Sequence, residues 1–151
     1  MIVRKMFPEE IDNTATLVKY YYQEAAEAIP TLGEWDTNSV INTIRTRTIN
    51  PNLNWLNLYD GGRPVGMISG SLGSAPWNEE ILMGHIDLFY ILKSHRNMDN
   101  FRSLVKGFEE WAAMVNTQLI YVSDMGVNES RTETLYKQLG YSGATSLVKR
   151  M

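Results

Sequence analysis

The chain has 151 residues, of which 44% are hydrophobic and 21% charged, a composition typical of one globular domain spanning residues 1–151. A net charge of −3 argues against a nucleic-acid partner, because such affinity depends on clustered lysine and arginine. No stretch approaches the roughly 18 apolar residues that cross a bilayer, and the N-terminus lacks a signal-peptide core, so we expect a cytoplasmic location and no membrane partner. The lack of cysteine excludes disulfides and thiolate chemistry by the chain itself.

The first half of the sequence predicts a strand, two helices and a hairpin. Residues 2–6 favour a short strand. The apolar residues that follow recur at the spacing of one helical face: Ile11, Ala15, Val18, Tyr22 and Ala25. Asp36 or Thr37 can cap a second helix that ends before Pro51. Residues 54–72 predict two strands around an Asp-Gly-Gly turn at residues 60–62, where glycine tolerates positive φ.

The second half predicts a buried strand followed by a helix. After a loop at residues 73–80, the apolar run 81–91 predicts a strand buried on both faces, in the middle of a sheet. From Asn100, apolar residues recur at i, i+3, i+4 and i+7 and predict a helix of about four turns. A strand at residues 118–125, a helix from residue 129 ended by Gly140, and a strand at residues 145–151 complete the order β-α-α-β-β-β-α-β-α-β.

The turn between the long strand and its helix, residues 93–100, is a candidate binding site. A helix N-terminus presents unpaired N–H groups and the positive end of the dipole to an anion, which suits a phosphate. The alternative is a plain connection in which Asp99 caps the helix and Arg96 is solvated. The turn contains no glycine, which favours the plain connection.

Several features of the sequence occur together. They are the element order, the strand HIDLFYI at residues 85–91, an arginine five residues after it, the helix ending FEEWA and the later LYKQLGY at residues 135–141. In this combination they resemble the GNAT superfamily of acyl-CoA-dependent N-acyltransferases, whose fourth helix commonly reads Leu-Tyr-x-x-x-Gly-aromatic. The resemblance implies an α/β (α+β) fold with a mixed, mostly antiparallel sheet. In the family this sheet is splayed between its fourth and fifth strands, and acyl-CoA enters the gap.

The resemblance also implies where the cofactor binds. Residues 89–91 fall on the fourth strand, whose main chain pairs with the pantetheine arm in the family. Arg96 matches the first position of the Arg/Gln-x-x-Gly-x-Gly/Ala loop that wraps the CoA pyrophosphate with N–H groups. Asp99 and Phe101 stand at its two glycine positions. The implied cofactor-binding residues are Phe89, Tyr90, Ile91, Arg96, Asn97, Met98, Asp99, Asn100, Phe101 and, before the fourth helix, Asn128.

A general acid and a base are implied as well. The tyrosine of the family's fourth helix commonly protonates the departing CoA thiolate, and Tyr136 matches it as a neutral donor at pH 7; alternatively its ring simply packs in the core. For a base, the strand offers His85 and Asp87. Period-2 alternation places both on the face that carries Phe89 and Ile91. An imidazole can accept the amine proton, or His85 is structural and Asp87 only fixes its ring.

Two functions remain open. The first is an N-acyltransferase that moves an acyl group, acetyl in the simplest case, from acyl-CoA to an amine on a small molecule or protein. We expect no metal, since the chain has two histidines and no His-Glu-x-x-His pair. A bond from Arg96 to the pyrophosphate, about 1.5–3 kcal/mol, is nearly cancelled by repulsion of about 3 kcal/mol from an Asp99 carboxylate about 5 Å away.

Because the attraction of Arg96 and the repulsion of Asp99 nearly cancel, the second possible function is that of a catalytically degenerate GNAT-like domain. Some phage-encoded proteins of this kind have eroded cofactor loops and act as particle or partner-binding components, which would make this protein virion-associated. Only about ten residues follow Tyr141, where the family usually has two more strands. An unfinished sheet edge favours pairing with another chain, as a homo-oligomer or an assembly component.

Overall fold

The structure, a computed structural model, describes residues 1–123 and 129–143. Its strands and helices in chain order are β1 (Ile2–Arg4), α1 (Ile11–Ala28), α2 (Thr37–Ile49), β2 (Leu53–Asp60), β3 (Arg63–Ala75), β4 (Asn78–Ile91), α3 (Met98–Met114), β5 (Leu119–Val122) and α4 (Glu129–Gln138). Short 3-10 turns occupy Pro8–Glu10 and Lys93–His95. This order confirms the prediction through α4. The predicted last strand, residues 145–151, lies outside the described residues.

The sheet has five strands in the order β1-β2-β3-β4-β5 within the described part of the chain. The first four pair antiparallel, and β5 runs parallel to β4, which confirms a mixed, mostly antiparallel sheet. The middle strand is β3, with Val65, Met67 and Ile68 fully buried. Residues 81–91 form an interior strand, as predicted, since β4 pairs with β3 on one side and with β5 on the other. Burial on both faces is incomplete, because several of these residues are only partly buried.

Helices cover both faces of the sheet. On β2, Leu56 lies against Gly107 of α3, whereas its neighbour Asn57 donates a hydrogen bond to the Thr14 hydroxyl of α1 at 2.9 Å. Successive strand residues point to opposite faces, so α3 packs on one face and α1 on the other. Among the described residues, no helix combines the length and apolar character needed to cross a membrane.

The buried face of α1 differs from the predicted one. Tyr21, rather than Tyr22, lies in the core, where its ring meets the ring of Tyr90 at 5.6 Å. Polar Thr14 is also fully buried because its hydroxyl accepts the bond from Asn57. The predicted face was chosen from apolar residues alone, so the buried polar residue Thr14 was not counted. Tyr22 was therefore assigned to the core in place of Tyr21.

The predicted turns and helix ends that depend on neighbouring residues are confirmed at Asp36, Gly61 and Gly140. The Asp36 side chain accepts a hydrogen bond from the Asn38 N–H at 3.2 Å and caps α2. Gly61 has φ of 64° in the β2–β3 turn and Gly140 has φ of 95° after α4, conformations that favour glycine. The predicted loop at residues 73–80 is wrong, since ladder pairing extends to Ala75 and leaves only a two-residue connection to β4.

A charged cluster ties β1 to β2. Both terminal nitrogens of Arg4 donate to the Glu10 carboxylate, at 2.9 and 3.0 Å. The hydroxyl of Tyr59 donates to the same carboxylate at 3.1 Å. These bonds, with that from Arg4 the largest contribution, lower the pKa of Glu10 to about 2.

The Glu10→Gln variant is expected to lose less stability in acid than the wild type. The folded pKa of about 2 lies below the ordinary value of 4.5, so the stabilisation is present above about pH 4.5 and disappears as the pH falls through 2. Allowing for solvent screening, we expect a difference of about 1–2 kcal/mol between urea unfolding at pH 6 and at pH 2.5. The matched control is Glu9→Gln in the same turn, whose side chain is exposed. Equal acid losses in all three proteins would contradict this assignment.

Candidate active site

The gap between β4 and β5 forms the candidate site. The two strands pair over residues 83–86 and Leu119–Val122, and the ladder ends where the Ser123 N–H donates to the Ile86 carbonyl at 2.9 Å. Beyond that point β4 continues to Ile91 paired with β3 alone among the described strands. Within residues 1–123 and 129–143, the sheet is thus open between its fourth and fifth strands, as predicted.

Main-chain groups of β4 face this opening. The Leu92 N–H donates to the Val65 carbonyl on β3 at 2.9 Å, whereas the Ile91 carbonyl accepts a bond from Arg96 Nε at 2.7 Å. Because successive residues direct their N–H and C=O groups to alternate edges of a strand, the groups of Phe89 and Ile91 point away from β3. An extended ligand could pair with the N–H and C=O groups of Phe89 and with the Ile91 N–H as an added strand would.

A cavity of about 160 Å³ lies at the open edge. Its lining comes from the end of β4, the following turn with the start of α3, and α4: Phe89, Tyr90, Ile91, Arg96, Asn97, Met98, Phe101, Arg131, Thr132 and Leu135. The first seven are among the predicted cofactor-binding residues, and the structure brings them together. The three on α4 were not predicted, although the i, i+4 spacing of Arg131 and Leu135 puts them on one face of that helix.

Two predicted cofactor-binding residues of the turn, Asp99 and Asn100, do not line the cavity. Asn97, and not Asp99, caps α3: its side-chain oxygen accepts the Asn100 N–H at 2.8 Å. The Asp99 side chain is 93% exposed, 3.5 Å from Arg102. The interpretation of Asp99 as the cap is wrong because α3 begins at Met98, two residues earlier than its apolar pattern predicts. The Asn100 amide instead donates to the main chain of the turn.

The capped start of α3 leaves anion-binding groups in place. Within the described residues, the N–H groups of Met98 and Asp99 have no hydrogen-bond acceptor. They are the first two N–H groups of the helix, which have no partner inside it. The capping side chain satisfies the third, so two donors remain beside the cavity.

Arg96 is neither solvated nor free. Its Nη2 donates to both carboxylate oxygens of Glu24 on α1, at 2.9 and 2.7 Å, and Nε holds the Ile91 carbonyl. The Tyr90 hydroxyl donates to Glu24 at 2.7 Å; burial, with a smaller contribution from this bond, raises the pKa of Tyr90. The Glu24 and Arg96 side chains are 13% and 23% exposed. The resemblance assigns the positive charge of Arg96 to the CoA pyrophosphate. In the structure this charge is balanced by the Glu24 carboxylate.

A β-bulge separates the predicted base residues from the cavity. The register shifts from Gly70 opposite Ile86 to Ser69 opposite Leu88, which leaves Asp87 as an extra residue in β4. Past the bulge, Phe89 faces α3, where its ring meets that of Phe101 at 5.0 Å. The prediction of one shared face is wrong, because strict alternation does not continue through a bulge.

Asp87 and His85 instead face the opposite side of the sheet. Two nitrogens of Arg47 on α2 donate to the Asp87 carboxylate, at 2.6 and 2.9 Å, so Asp87 does not hold the His85 ring. That ring stacks on Tyr121 at 4.2 Å, and its Nε2 hydrogen-bonds the Ser123 hydroxyl. Burial lowers the pKa of His85, which favours the neutral form of the ring. Neither side chain lines the cavity at residues 89–91.

Tyr136 lies in an aromatic cluster behind the cavity. Its ring meets those of Phe101, Tyr141 and Phe89 at 4.9, 5.3 and 6.0 Å, and the residue is 5% exposed. The implied acid is thus in contact with two residues that line the cavity, while most of its ring is core. Asn128 lies outside the described residues.

Solved acetyltransferase structures share this fold over nearly their whole length. A ribosomal-protein-alanine N-acetyltransferase from Brucella melitensis biovar Abortus 2308 superposes with a TM-score of 0.73 at 14% identity, covering 100% of both chains. The aminoglycoside antibiotic 6'-N-acetyltransferase AAC(6')-IG from Acinetobacter haemolyticus gives 0.74 at 15% identity, covering 100% of this chain and 97% of the other. A predicted acetyltransferase from Clostridium acetobutylicum, solved with acetyl-CoA, gives 0.76 at 12% identity, covering 99% and 95%.

No protein-family model and no curated protein matches the chain. At identities of 12–15%, the three-dimensional similarity extends over 99–100% of the chain. Together with the opening between β4 and β5, it shows that the chain has the fold of the GNAT superfamily.

Proposed function

We propose that the protein is an N-acyltransferase that transfers an acyl group, acetyl in the simplest case, from acyl-CoA to an amine. The observation that carries the proposal is the open edge of β4 beside a cavity lined by seven residues that the sequence implicated in cofactor binding. The fold shared with solved acetyltransferases supports it.

The residues present fit an acyl-CoA donor. The N–H and C=O groups of Phe89 and the N–H group of Ile91 can pair with amides of the pantetheine arm in the manner of an added strand, whereas the Ile91 carbonyl is held by Arg96. The N–H groups of Met98 and Asp99 can bind phosphate oxygens at the start of α3. The cavity itself has room for a short segment of the donor, with the remainder lying outside it.

The reaction follows from this arrangement. The neutral amine nitrogen attacks the thioester carbonyl carbon, and an amide bond forms as the nitrogen releases one proton to solvent. The C–S bond breaks, and CoA leaves as a thiolate that takes up one proton. Main-chain N–H groups of β4 polarise the carbonyl. We assign the donation of the thiolate's proton to the hydroxyl of Tyr136, whose ring contacts Phe89 and Phe101 of the cavity lining, and the hydroxyl then recovers a proton from solvent. A base role for His85, with Asp87, has less support, because both face α2 rather than the cavity.

The test is a thermal melt with acetyl-CoA, followed by turnover. At 100 times its dissociation constant the ligand should add about 2.7 kcal/mol, a shift of roughly 5–10 °C. Tyr136→Phe should keep that shift but lower kcat about 100-fold with an amine that the wild type acetylates. Tyr141→Phe is the matched control, since its hydroxyl bonds Glu109 at the other side of the cluster. The absence of any shift at millimolar acetyl-CoA would overturn the enzyme proposal.

A second candidate function is a GNAT-like domain that no longer uses CoA and acts as a partner-binding or phage-particle component. The observation that favours it is the pairing of Arg96 with Glu24, which removes a charge the cofactor loop would use. This function predicts that acetyl-CoA has no effect on the melt and that the chain self-associates in sedimentation velocity. A monomer that melts higher with acetyl-CoA would exclude it.

A further inference from the structure

The two arginines that line the cavity differ in their bonding. Arg96 comes from the turn after β4, and Arg131 comes from the first turns of α4, so they approach the cavity from different elements. Each could supply positive charge to an anionic group bound there. What separates them is how much of that charge the chain already uses.

The positive charge of Arg96 is already balanced within the chain, although its Nη1 donates no hydrogen bond to a described residue. Three of its hydrogen bonds go to Glu24 and the Ile91 carbonyl, and its guanidinium lies 5.4 Å from the centre of the Tyr90 ring. Turning it toward a phosphate would strand the Glu24 carboxylate, which is mostly buried. The pair is therefore a closed unit that joins α1 to the turn.

Arg131 has its guanidinium available. It is exposed and makes no hydrogen bond or ion pair with any residue in the described ranges. It shares the cavity lining with Asn97 and Met98 of the turn, the segment that the family uses around the pyrophosphate. A guanidinium presents donors in a fork that matches phosphate oxygens and keeps its charge at all relevant pH values.

We infer that Arg131 on α4, and not Arg96, provides the cationic contact to the phosphate groups of the acyl donor. The inference rests on the proposed function and adds a binding residue to it. Arg96 becomes a positioning residue that, through Glu24, fixes the turn against α1. Arg131, which comes from a different element of the cavity lining, then compensates for the departure of the cofactor loop from the family pattern.

The experiment measures dissociation constants by calorimetry for acetyl-CoA and for acetyl-pantetheine, which lacks all phosphates. Arg131→Gln should weaken acetyl-CoA about 10- to 100-fold and leave acetyl-pantetheine unchanged. The double variant Glu24→Gln with Arg96→Gln, which removes both charges of the closed pair, should weaken acetyl-CoA less than Arg131→Gln does, because it removes a contact that positions the turn and not the charge that meets the phosphates. Arg102→Gln, an exposed arginine of α3 outside the cavity, controls for net charge. Acetyl-dephospho-CoA keeps the diphosphate and lacks the 3'-phosphate, so its affinity for the same variants shows which of the two groups Arg131 contacts.

Wild-type affinity in Arg131→Gln, or a larger loss in the double variant, would overturn the inference. An equal loss for acetyl-pantetheine would do the same, since it would indicate packing rather than charge. If the wild type binds no acetyl-CoA, the proposed function fails, and inorganic diphosphate then decides the inference separately. Diphosphate protection against melting that depends on Arg131 would sustain it, and the absence of such protection would end it.

Discussion

Replacing Gly70 by alanine is expected to lower the free energy of unfolding by about 3 kcal/mol. Gly70 lies on β3 where the register with β4 shifts. A Cβ added there would overlap the carbonyl oxygen of His85 and would come within 2.8 Å of the Phe108 ring. The main chain cannot rotate away as a side chain can, so the sheet must deform beside the bulge.

Gly73→Ala on the same strand is the matched control. A Cβ at this position meets no atom within 4 Å, so we expect a stability within about 1 kcal/mol of the wild type. Urea unfolding followed by tryptophan fluorescence compares the three proteins, since Trp55 is buried in the core. Gly70→Ala and Gly73→Ala of equal stability would show that β3 and β4 do not approach as described.

Replacing Glu24 by alanine is expected to lower the free energy of unfolding by about 2–4 kcal/mol. The substitution removes the acceptor for the Tyr90 hydroxyl and leaves the Arg96 guanidinium without its counter-charge in a largely buried position. Exposed Glu27→Ala on the same helix should change stability by no more than about 0.5 kcal/mol. Urea unfolding at neutral pH measures both.

The double variant Glu24→Ala with Arg96→Met tests the cause. If the loss comes from the stranded guanidinium, removing it should restore part of the stability, and the two substitutions should be strongly non-additive. Additive losses would indicate that Glu24 acts only through packing or through Tyr90. Thermal melts of the same variants with and without acetyl-CoA show whether the turn still binds the ligand.

Local patterns account for the parts of the fold that were predictable. The helix α3 follows from apolar residues at i, i+3 and i+4, and its buried residues include Phe101, Leu104 and Phe108. The β2–β3 turn follows from Asp-Gly-Gly, whose backbone requirements are set by adjacent residues. Where a partner far along the chain intervenes, the pattern fails, as with Thr14, which is polar yet buried through Asn57.

The candidate site was predictable only along continuous segments. Residues 89–91 and the turn after them were assigned by their order in the chain, and most of them do line one cavity. The contribution of α4 was missed because Arg131 follows Arg96 by 35 positions, and nothing local indicates that the two flank one opening. The bulge at Asp87 was missed for a similar reason, since it depends on how β3 pairs.

By itself the sequence determined the element order and the turn after β4, because helical periodicity, caps and glycine turns depend on neighbouring residues. Only the tertiary structure decided how the charges of that turn are used. Glu24 and Arg96 are 72 residues apart, and their pairing depends on α1 packing against the end of β4. Arg96 is therefore paired within the chain, whereas Arg131 of α4, which shares the cavity lining, makes no hydrogen bond or ion pair with the described residues.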